Sequence, residues 1–501
     1  MRRYLLTILF ALIFATGFGQ SRSEAMREYQ NKRRQAYGEY VSNYRKAFSD
    51  YMRKRWEAFE SNAPVSLPER KEPDNPVVKP SDDDNLAATP DDKKPVDDKP
   101  AAPAAPTAPA PSTPAPKPAP TPAPTPAPTP APVVPAKPSV ATNLPYKFTF
   151  YGTECSVTLA SSQKFRLSSS KENDVATAWE RISSGSYDKA AEDCNRIADA
   201  LKLNDWGYYR LVQVIADGFC GKGSNESVLL QSFLLAEKGL MVRLARSTDN
   251  RLLLLLSSDC QLFGYPYLTI DKHNFYIFEK KFSGSCAICN FKIPGERAMA
   301  MNIKTLPNLT MKNAPALTRE FKRENFSTTV SVNANVIAYL NDYPACDWSY
   351  YASAPLSEQT KAQLYPTLRK ALEGKDETGK VKLLLQYLHA AFPYMTDNKQ
   401  FGHERTFFAE EMYYYPYSDC EDRAILFARL VEDLTGLNTV LLYYPNHIAS
   451  AVRFTGSVSG DSVTVDGKRY TICDPTYIGA NIGEAMPEFK NTKPQIIKID
   501  K

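Results

Sequence analysis

Histidine is scarce in this sequence, with only four residues in 501. The single Cys-x-x-Cys motif, at Cys286 and Cys289, lacks the second pair of ligands that a structural zinc site needs. We therefore interpret these cysteines as disulfide partners or ordinary buried thiols. The chain also lacks an excess of one charge, because 61 Lys and Arg residues face 56 Asp and Glu residues. That balance gives no support to a nucleic-acid partner.

Proline is rare except in one region. Of the 38 prolines, 25 fall between Pro64 and Pro145. Such a stretch has too few backbone donors and apolar side chains to form a core. We therefore predict a disordered linker at residues 63–145, extended as polyproline II where Ala, Pro and Thr alternate. The remainder of the chain is long enough for two ordinary domains.

The first residues have the layout of a secretory signal peptide. A basic start is followed by an apolar run from Tyr4 to Phe14 and a group of small residues before Gln20. The apolar run is too short to span a bilayer. We predict a signal peptide at residues 1–19 and a secreted or periplasmic protein associated with the cell envelope.

Residues 20–62 are predicted to form a basic amphipathic helix. Aromatic residues recur there at helical spacing, at Tyr37, Tyr40, Tyr44, Phe48 and Tyr51. Ten Lys or Arg residues accompany six Asp or Glu residues in the segment. One interpretation is docking on an envelope surface or a protein partner. The other is packing against the globular part of the same chain.

The sequence after Pro145 predicts the same order of elements twice, helices and then strands. The first half predicts helices at 174–182, 187–201, 205–219 and 226–238, and strands at 240–245, 251–257, 267–270 and 274–279. The second predicts helices at 358–372, 380–392 and 420–434, and strands at 439–443, 448–454 and 468–473. We interpret residues 146–310 and 311–501 as diverged copies of one domain. The first copy has Asn225 where the second has Cys420.

Cys420 is the strongest candidate nucleophile because it stands where a turn becomes a helix, and a helix N-terminus favours a thiolate. A thiol also needs a base and a group that orients the base. Strands that start at His447 and end at Asp474 can supply both. If these strands pair antiparallel about Gly460 and Asp461, His447 lies directly opposite Asp474 on one face. Ala449 and Ala451, on that face, would leave room for the helix start.

The ordered set Tyr-Ser-Asp-Cys420-Glu-Asp-Arg, Tyr-Pro-Asn-His447-Ile-Ala and Cys-Asp474-Pro-Thr resembles the transglutaminase-like superfamily. The resemblance is strongest over residues 383–487. It implies an α+β fold whose papain-like core packs helices on an antiparallel sheet, preceded here by a degenerate copy. It also implies that Cys420 is the nucleophile, that His447 is the base and later the acid, and that Asp474 orients the imidazole.

Two donors are candidates for stabilising an oxyanion: the backbone N–H of Cys420 and the side-chain amide of Gln400. Members of the superfamily often use a tryptophan instead, and the nearest upstream one here is Trp348, 72 residues before the cysteine. Calcium, which some members require, has no carboxylate-rich loop outside the predicted linker. The sequence therefore indicates no cofactor and no metal.

These features predict acyl transfer at amide bonds through a thioester on Cys420, with a protein or a cell-wall peptide as substrate. Water as acceptor would make the protein a peptidase or amidase, and an amine would make it a cross-linking enzyme. A non-catalytic envelope scaffold that retains the fold is an alternative. A peptide-deglycosylating amidase with the same triad is another.

Overall fold

The computed structural model describes residues 22–68, 73–80 and 145–499, which belong to one compact unit. The predicted signal peptide and most of the predicted linker lie outside these ranges. Helices pack on antiparallel sheets, as the expected α+β class requires. Within the described ranges, no helix combines the length and apolar character needed to cross a bilayer.

Among the residues that the structure describes, the N-terminal half contains five α-helices and eight strands. The helices are α1 (Arg22–Met52), α2 (Glu172–Ser183), α3 (Asp188–Ala200), α4 (Asp205–Cys220) and α5 (Asn225–Glu237). The strands are β1 (Glu57–Glu60), β2 (Tyr146–Phe150), β3 (Thr153–Val157), β4 (Val242–Ser247), β5 (Leu252–Ser257), β6 (Tyr267–Ile270), β7 (His273–Ile277) and β8 (Ser285–Cys289). The helices and strands predicted in this half are found within a few residues of their expected bounds.

The C-terminal half continues with six helices and seven strands. The helices are α6 (Ala334–Asn341), α7 (Trp348–Ser353), α8 (Glu358–Leu372), α9 (Glu377–Ala391), α10 (Asp397–Gln400) and α11 (Cys420–Thr435). The strands are β9 (Leu317–Phe321), β10 (Phe326–Val330), β11 (Asn438–Tyr444), β12 (His447–Arg453), β13 (Ser462–Val465), β14 (Lys468–Cys473) and β15 (Gln495–Lys498). Helix α8 and strand β14 have the predicted bounds.

The two main sheets have the same order of strands. The first reads β1-β8-β4-β5-β7-β6, and the second reads β15-β11-β12-β14-β13 from the matching edge, with every neighbour antiparallel. Helix α5 packs on the first sheet and α11 on the second. Each of these helices is followed by a glycine with positive φ, Gly239 at 80° and Gly436 at 74°. Strand β1 has no counterpart in the second sheet.

The N-terminal segment packs against the globular part over its second half. Phe48 is buried, and its ring lies 4.4 Å from Trp179 and 4.7 Å from Phe291 between centroids. Arg45 forms ion pairs with Asp188 at 2.7 Å and Glu237 at 2.8 Å. For this stretch, the structure favours the interpretation that the helix belongs to its own domain.

Two boundary predictions in this segment are wrong. The helix ends at Met52 rather than near residue 62, and β1 then pairs with the edge strand β8. The predicted linker also begins too early, because Val65 accepts a hydrogen bond from the N–H of Gly264, and residues 77–79 pair with Ile478. In both places another segment supplies the backbone partners that local sequence cannot reveal.

All nine cysteines lie within the described ranges, and none of them forms a disulfide there. Cys286 and Cys289 are buried thiols on β8, so the second of their two predicted roles is the one found.

Replacing Phe48 with Ala should reduce the free energy of unfolding by about 3 kcal/mol, because the change removes a fully buried ring from a packed site. Urea denaturation of the full chain would measure it. Met26→Ala is the matched control on the same helix, since Met26 is 55% exposed, and it should change stability by less than about 0.5 kcal/mol. Equal effects of the two substitutions would contradict the packing of α1.

Candidate functional site

Helix α11 begins at Cys420, with Asp419 as the residue that precedes its first turn. The approach to it is held by backbone contacts: the N–H of Met395 donates to the carbonyl of Ser418, and the N–H of Ser418 donates to that of Pro393. Buried Arg319 donates to the carbonyls of Met412, Tyr415 and Pro416 in the preceding loop. The start of α11 is thus fixed by segments distant in sequence.

His447 is the first residue of β12, directly after a tight turn. Pro445 and Asn446 form the turn between β11 and β12, and Asn446 has a φ of 62°, which an asparagine tolerates better than most residues. Tyr444 and His447 are therefore paired across the turn. The turn fixes which face of the sheet the imidazole occupies.

The structure brings His447 and Asp474 together, but in a different register from the predicted one. Ser450 pairs with Cys473, so the strands are shifted by two positions and Asp474 follows the last residue of β14. Because the shift is even, the two side chains stay on one face. The Nε2 atom of His447 lies 2.8 Å from Oδ2 of Asp474. The connection is also not a simple turn, since it contains β13.

The predicted role of the small residues on β12 is wrong. Ala449 and Ala451 pack in a cluster on the far side of the sheet, with Tyr470 and Ile472. The side that faces α11 carries Ser450 instead, whose hydroxyl donates to the carbonyl of Ala424. Helix α11 therefore packs against the β12 side chains that alternate with Ala449 and Ala451. His447 lies near α11 because it stands at the start of the strand.

Cys420 lies beside that strand start. Its Sγ atom accepts a hydrogen bond from the N–H of Ile448 at 3.2 Å, and Ile448 directly follows His447. The same thiol lies 3.5 Å from Oε2 of Glu421. The positive end of α11 and a protonated His447 favour a thiolate here, whereas an ionised Glu421 opposes it.

The hydrogen bond to Asp474 decides the tautomer of His447. A carboxylate accepts only, so Nε2 carries the proton and donates it, which leaves the lone pair on Nδ1. Burial alone would disfavour ionisation of Asp474. The charge and hydrogen bond of His447 nevertheless hold the pKa of Asp474 below its ordinary value, with help from the N–H of Thr476. The arrangement can thus present an ionised orienting group, a neutral base and a thiol.

Two residues that we did not single out from the sequence hold Asp474 in place. His389 on α9 donates from Nε2 to the backbone carbonyl of Asp474 at 3.0 Å. Buried Arg423 on α11 donates to the carbonyls of Pro475, Leu388 and Phe392. Burial lowers the pKa of Arg423 to about 10, which keeps it charged at neutral pH. Arg423 lies within the quoted motif, but only the fold reveals what it contacts.

Aromatic rings cover the imidazole. Phe489 stacks on His447 with centroids 5.4 Å apart and an angle of 6° between the planes. Tyr444 stacks in turn on Phe489 at 4.8 Å. Cys420, His447 and Asp474 are accordingly only 1%, 4% and 2% exposed.

Gln400 ends α10, a short helix next to the start of α11. Asp397, at the other end of α10, has a carboxylate oxygen within 4.8 Å of those of Asp419 and Glu421. The Nε2 atom of Gln400 is buried and has no hydrogen-bond acceptor among the described residues. Trp348 lies against Tyr443 with the rings tilted and their centroids 5.1 Å apart, and its indole N–H donates to Thr406. Of Gln400 and Trp348, Gln400 is therefore the residue whose side-chain N–H groups remain available to an oxyanion.

The carboxylates beside Cys420 form a buried acidic group: Asp397, Asp419 and Glu421, with Asp422 adjacent. Burial, together with the charges of Glu421 and Asp397, raises the pKa of Asp422 well above its ordinary value. The sequence did not predict this group of carboxylates, because Asp397 belongs to a different helix from Glu421 and Asp422.

The first half has a different set of residues at the matching positions. Asn225 accepts a hydrogen bond from the N–H of Leu252 at 2.8 Å, as Cys420 does from Ile448. Arg251 precedes Leu252 and forms an ion pair with Glu279 at 2.9 Å. Counted from their hairpins, Glu279 and Asp474 occupy the same position. A surface cavity of about 320 Å³ opens there, lined by Arg251, Glu279, Lys280, Lys281 and Phe282.

The chain was compared with protein-family models, with curated proteins and with solved structures, and none of them matches it. The resemblance to the transglutaminase-like superfamily therefore depends on the motifs named above.

The buried histidine of this network should make folding stability depend on pH. Burial lowers the pKa of His389 to about 4 from an ordinary value of 6.5. The unfolded chain then binds a proton that the folded chain does not, so stability is full above pH 6.5 and falls as the pH drops toward 4. Because His389 keeps partial exposure, we expect a loss of about 1 kcal/mol between pH 7 and pH 5 from this group.

His389→Gln keeps a donor for the carbonyl of Asp474 and cannot titrate. Urea denaturation at pH 7 and pH 5 should show a smaller loss in this variant than in the natural chain. His403→Gln is the control, since His403 is exposed. Identical pH dependence in the natural chain and His389→Gln would refute the assignment of this loss to His389.

Proposed function

We propose that the protein is an exported thiol enzyme of the transglutaminase-like superfamily that cleaves amide bonds by acyl transfer through a thioester on Cys420. The proposal depends on the hydrogen bonds made by the first two residues of strand β12. His447 donates to Asp474 at 2.8 Å, and the next residue, Ile448, donates its N–H to the Cys420 thiol at 3.2 Å. A protein or a cell-wall peptide is the proposed substrate, and the cell envelope or its exterior is the proposed location.

In the first step, Nδ1 of His447 takes the proton of the Cys420 thiol, and the sulfur attacks the amide carbonyl carbon. Asp474 stabilises the imidazolium that forms. The tetrahedral intermediate places a negative charge on the former carbonyl oxygen. The amide of Gln400 and the backbone N–H of Cys420 are the proposed donors to that oxygen.

In the second step, the imidazolium returns its proton to the leaving amine as the carbon–nitrogen bond breaks, which leaves a thioester. An acceptor then attacks the thioester with His447 again as base, and the thiol is regenerated. Water as acceptor gives hydrolysis, and an amine gives a cross-link. We favour hydrolysis because water requires no separate acceptor site.

We also propose that the two halves arose by duplication of one domain. The equal strand order of the sheets and the matched positions of Asn225 and Cys420 support this. The first copy has no thiol at that position and has an ion pair, Arg251–Glu279, in place of the imidazole and carboxylate. Catalysis is therefore assigned to the second copy alone.

Labelling of Cys420 tests the proposal. Iodoacetamide at pH 6 to 7, followed by peptide mass mapping, should label Cys420 in a manner that depends on His447, with labelling about tenfold slower in His447→Ala. Cys473→Ala is the matched control, because Cys473 is a buried neighbour on β14 whose loss should leave labelling of Cys420 unchanged. Labelling of Cys420 that is indifferent to His447 would favour the alternative of a non-catalytic scaffold.

Substrate profiling of the natural chain against Cys420→Ser should identify cleaved or cross-linked amide bonds, and a glycopeptide substrate in the same panel tests the deglycosylating alternative. On a substrate found in this way, Gln400→Leu should lower kcat by about 10²-fold to 10³-fold, because the oxyanion loses a donor. KM should change little. Gln363→Leu is the control, because Gln363 is remote from the site. If kcat of Gln400→Leu falls no further than kcat of Gln363→Leu, this role is excluded.

A further inference from the structure

Residues 74–80 of the chain lie along a segment that follows Asp474. The N–H of Lys79 donates to the carbonyl of Ile478 at 2.9 Å, and the N–H of Ile478 donates to the carbonyl of Val77 at 2.9 Å. The pairing is parallel. An extended peptide that pairs with an exposed edge in this way is a recurrent mode of peptide recognition.

The side chains of this strap, which we define as Asp74–Pro80, alternate as in a strand. Val77 packs with Tyr477, Ala480 and Met486, whereas Val78 is 50% exposed. Lys79 points to the same side as Val77 and reaches both carboxylate oxygens of Glu484 at 2.7 Å. The groove therefore offers an apolar site and, two residues further along the bound peptide, an acidic site.

The strap joins the two sides of the candidate active site. Asp74 forms an ion pair with Lys399 at 3.1 Å, and Lys399 directly precedes Gln400. At the other end, Ile478 lies four residues after Asp474. Phe489 contacts both the apolar site of Val77 and the ring of His447. The strap therefore contacts residues on both sides: Lys399, next to Gln400, through Asp74, and Ile478, near Asp474, through its backbone.

We propose that this groove, formed by residues 477–484 and Lys399, is a binding site for an extended peptide and that the strap occupies it in cis. The proposal rests on the proposed function for its consequence, since the occupied groove would keep substrate from Cys420. A peptide that displaces the strap should carry an aliphatic residue followed two positions later by Lys or Arg. That pattern copies the chemistry by which Val77 and Lys79 are held.

The strap is held weakly enough to be displaced. Both of its ion pairs involve partly exposed side chains, and such pairs contribute about 0–1 kcal/mol each. Its advantage over a free peptide is covalent tethering, which corresponds to an effective concentration in the millimolar range. A substrate with more contacts, or a partner that pulls on the adjoining linker, could open the groove.

The experiment uses a fluorescent heptapeptide with the strap sequence, Asp-Asn-Pro-Val-Val-Lys-Pro, and full-length chains. Anisotropy should show at least tenfold tighter binding to the double variant Val77→Asp, Lys79→Glu than to the natural chain, because its own strap no longer competes. Val78→Asp is the matched control, since the same charge is introduced on the outer side, and it should bind the peptide as weakly as the natural chain does. Adding Glu484→Lys to the double variant should abolish binding of this peptide.

Equal binding of the peptide to the double variant and to Val78→Asp, or no binding to any chain, would refute the proposal that the groove binds an extended peptide. Binding does not require Cys420, so it can be measured in a Cys420→Ser background. The groove proposal and the proposed function can therefore fail separately. If the peptide binds as expected while labelling of Cys420 does not depend on His447, the proposed function is refuted and the proposed peptide-binding site is supported. If labelling depends on His447 and the peptide does not bind, the proposed peptide-binding site is refuted and the proposed function is supported.

Discussion

The buried hydrogen bond between His447 and Asp474 constrains most of the C-terminal half. An ionised carboxylate that is 2% exposed must be paired and hydrogen-bonded, because its desolvation is otherwise too costly. The imidazole and the N–H groups of Thr476 and Tyr477 supply these bonds to the carboxylate. His389 and Arg423 hold the adjacent backbone carbonyls. These contacts join β12, α9 and α11 around one residue. Arg423, which is also buried, donates to the carbonyls of Leu388, Phe392 and Pro475 and thereby fixes the backbone next to Asp474.

The two halves have a similar strand order but different side chains at the matching positions. In the first half, the pair at the matching positions, Arg251 and Glu279, has side chains that are about half exposed, 48% and 47%. Water and salt screen such a pair, and it can neither tune a base nor orient a thiol. In the second half, Phe489 and Tyr444 exclude water from the imidazole, so each charge there acts at short range in a poorly screened environment. The difference lies in what covers the end of the sheet.

Burial of the triad and its proposed chemistry are compatible only if the cover can move. Residues this inaccessible are shielded from solvent, but they are equally closed to a substrate. Phe489 covers the imidazole and packs on the same cluster as Val77 of the strap, which is held by two backbone hydrogen bonds, one apolar side chain and two partly exposed ion pairs. Those contacts are weak compared with the packing of α11 against its sheet. Opening would therefore leave the fold intact.

The sequence by itself determined the helices and strands that depend on interactions between residues close together in the chain. Hydrophobic periodicity and helix ends predicted α4, α5, α8 and α11, because caps, glycines and side-chain period act over a few residues. The order of Cys420, His447 and Asp474 also came from the sequence, and so did the shared face of the last two, since an even register shift preserves it.

Only the tertiary structure decided the register itself, the face of β12 that meets α11, the end of α1 at Met52 and the docking of residues 74–80. Each depends on a backbone or side-chain partner from a distant segment: β13 for the register, β8 for β1, and Ile478 for the strap. The buried contacts of His389 and Arg423 have the same origin. A sequence pattern records which residues prefer burial, but the partners that satisfy a buried polar group are chosen by the packing of the whole chain.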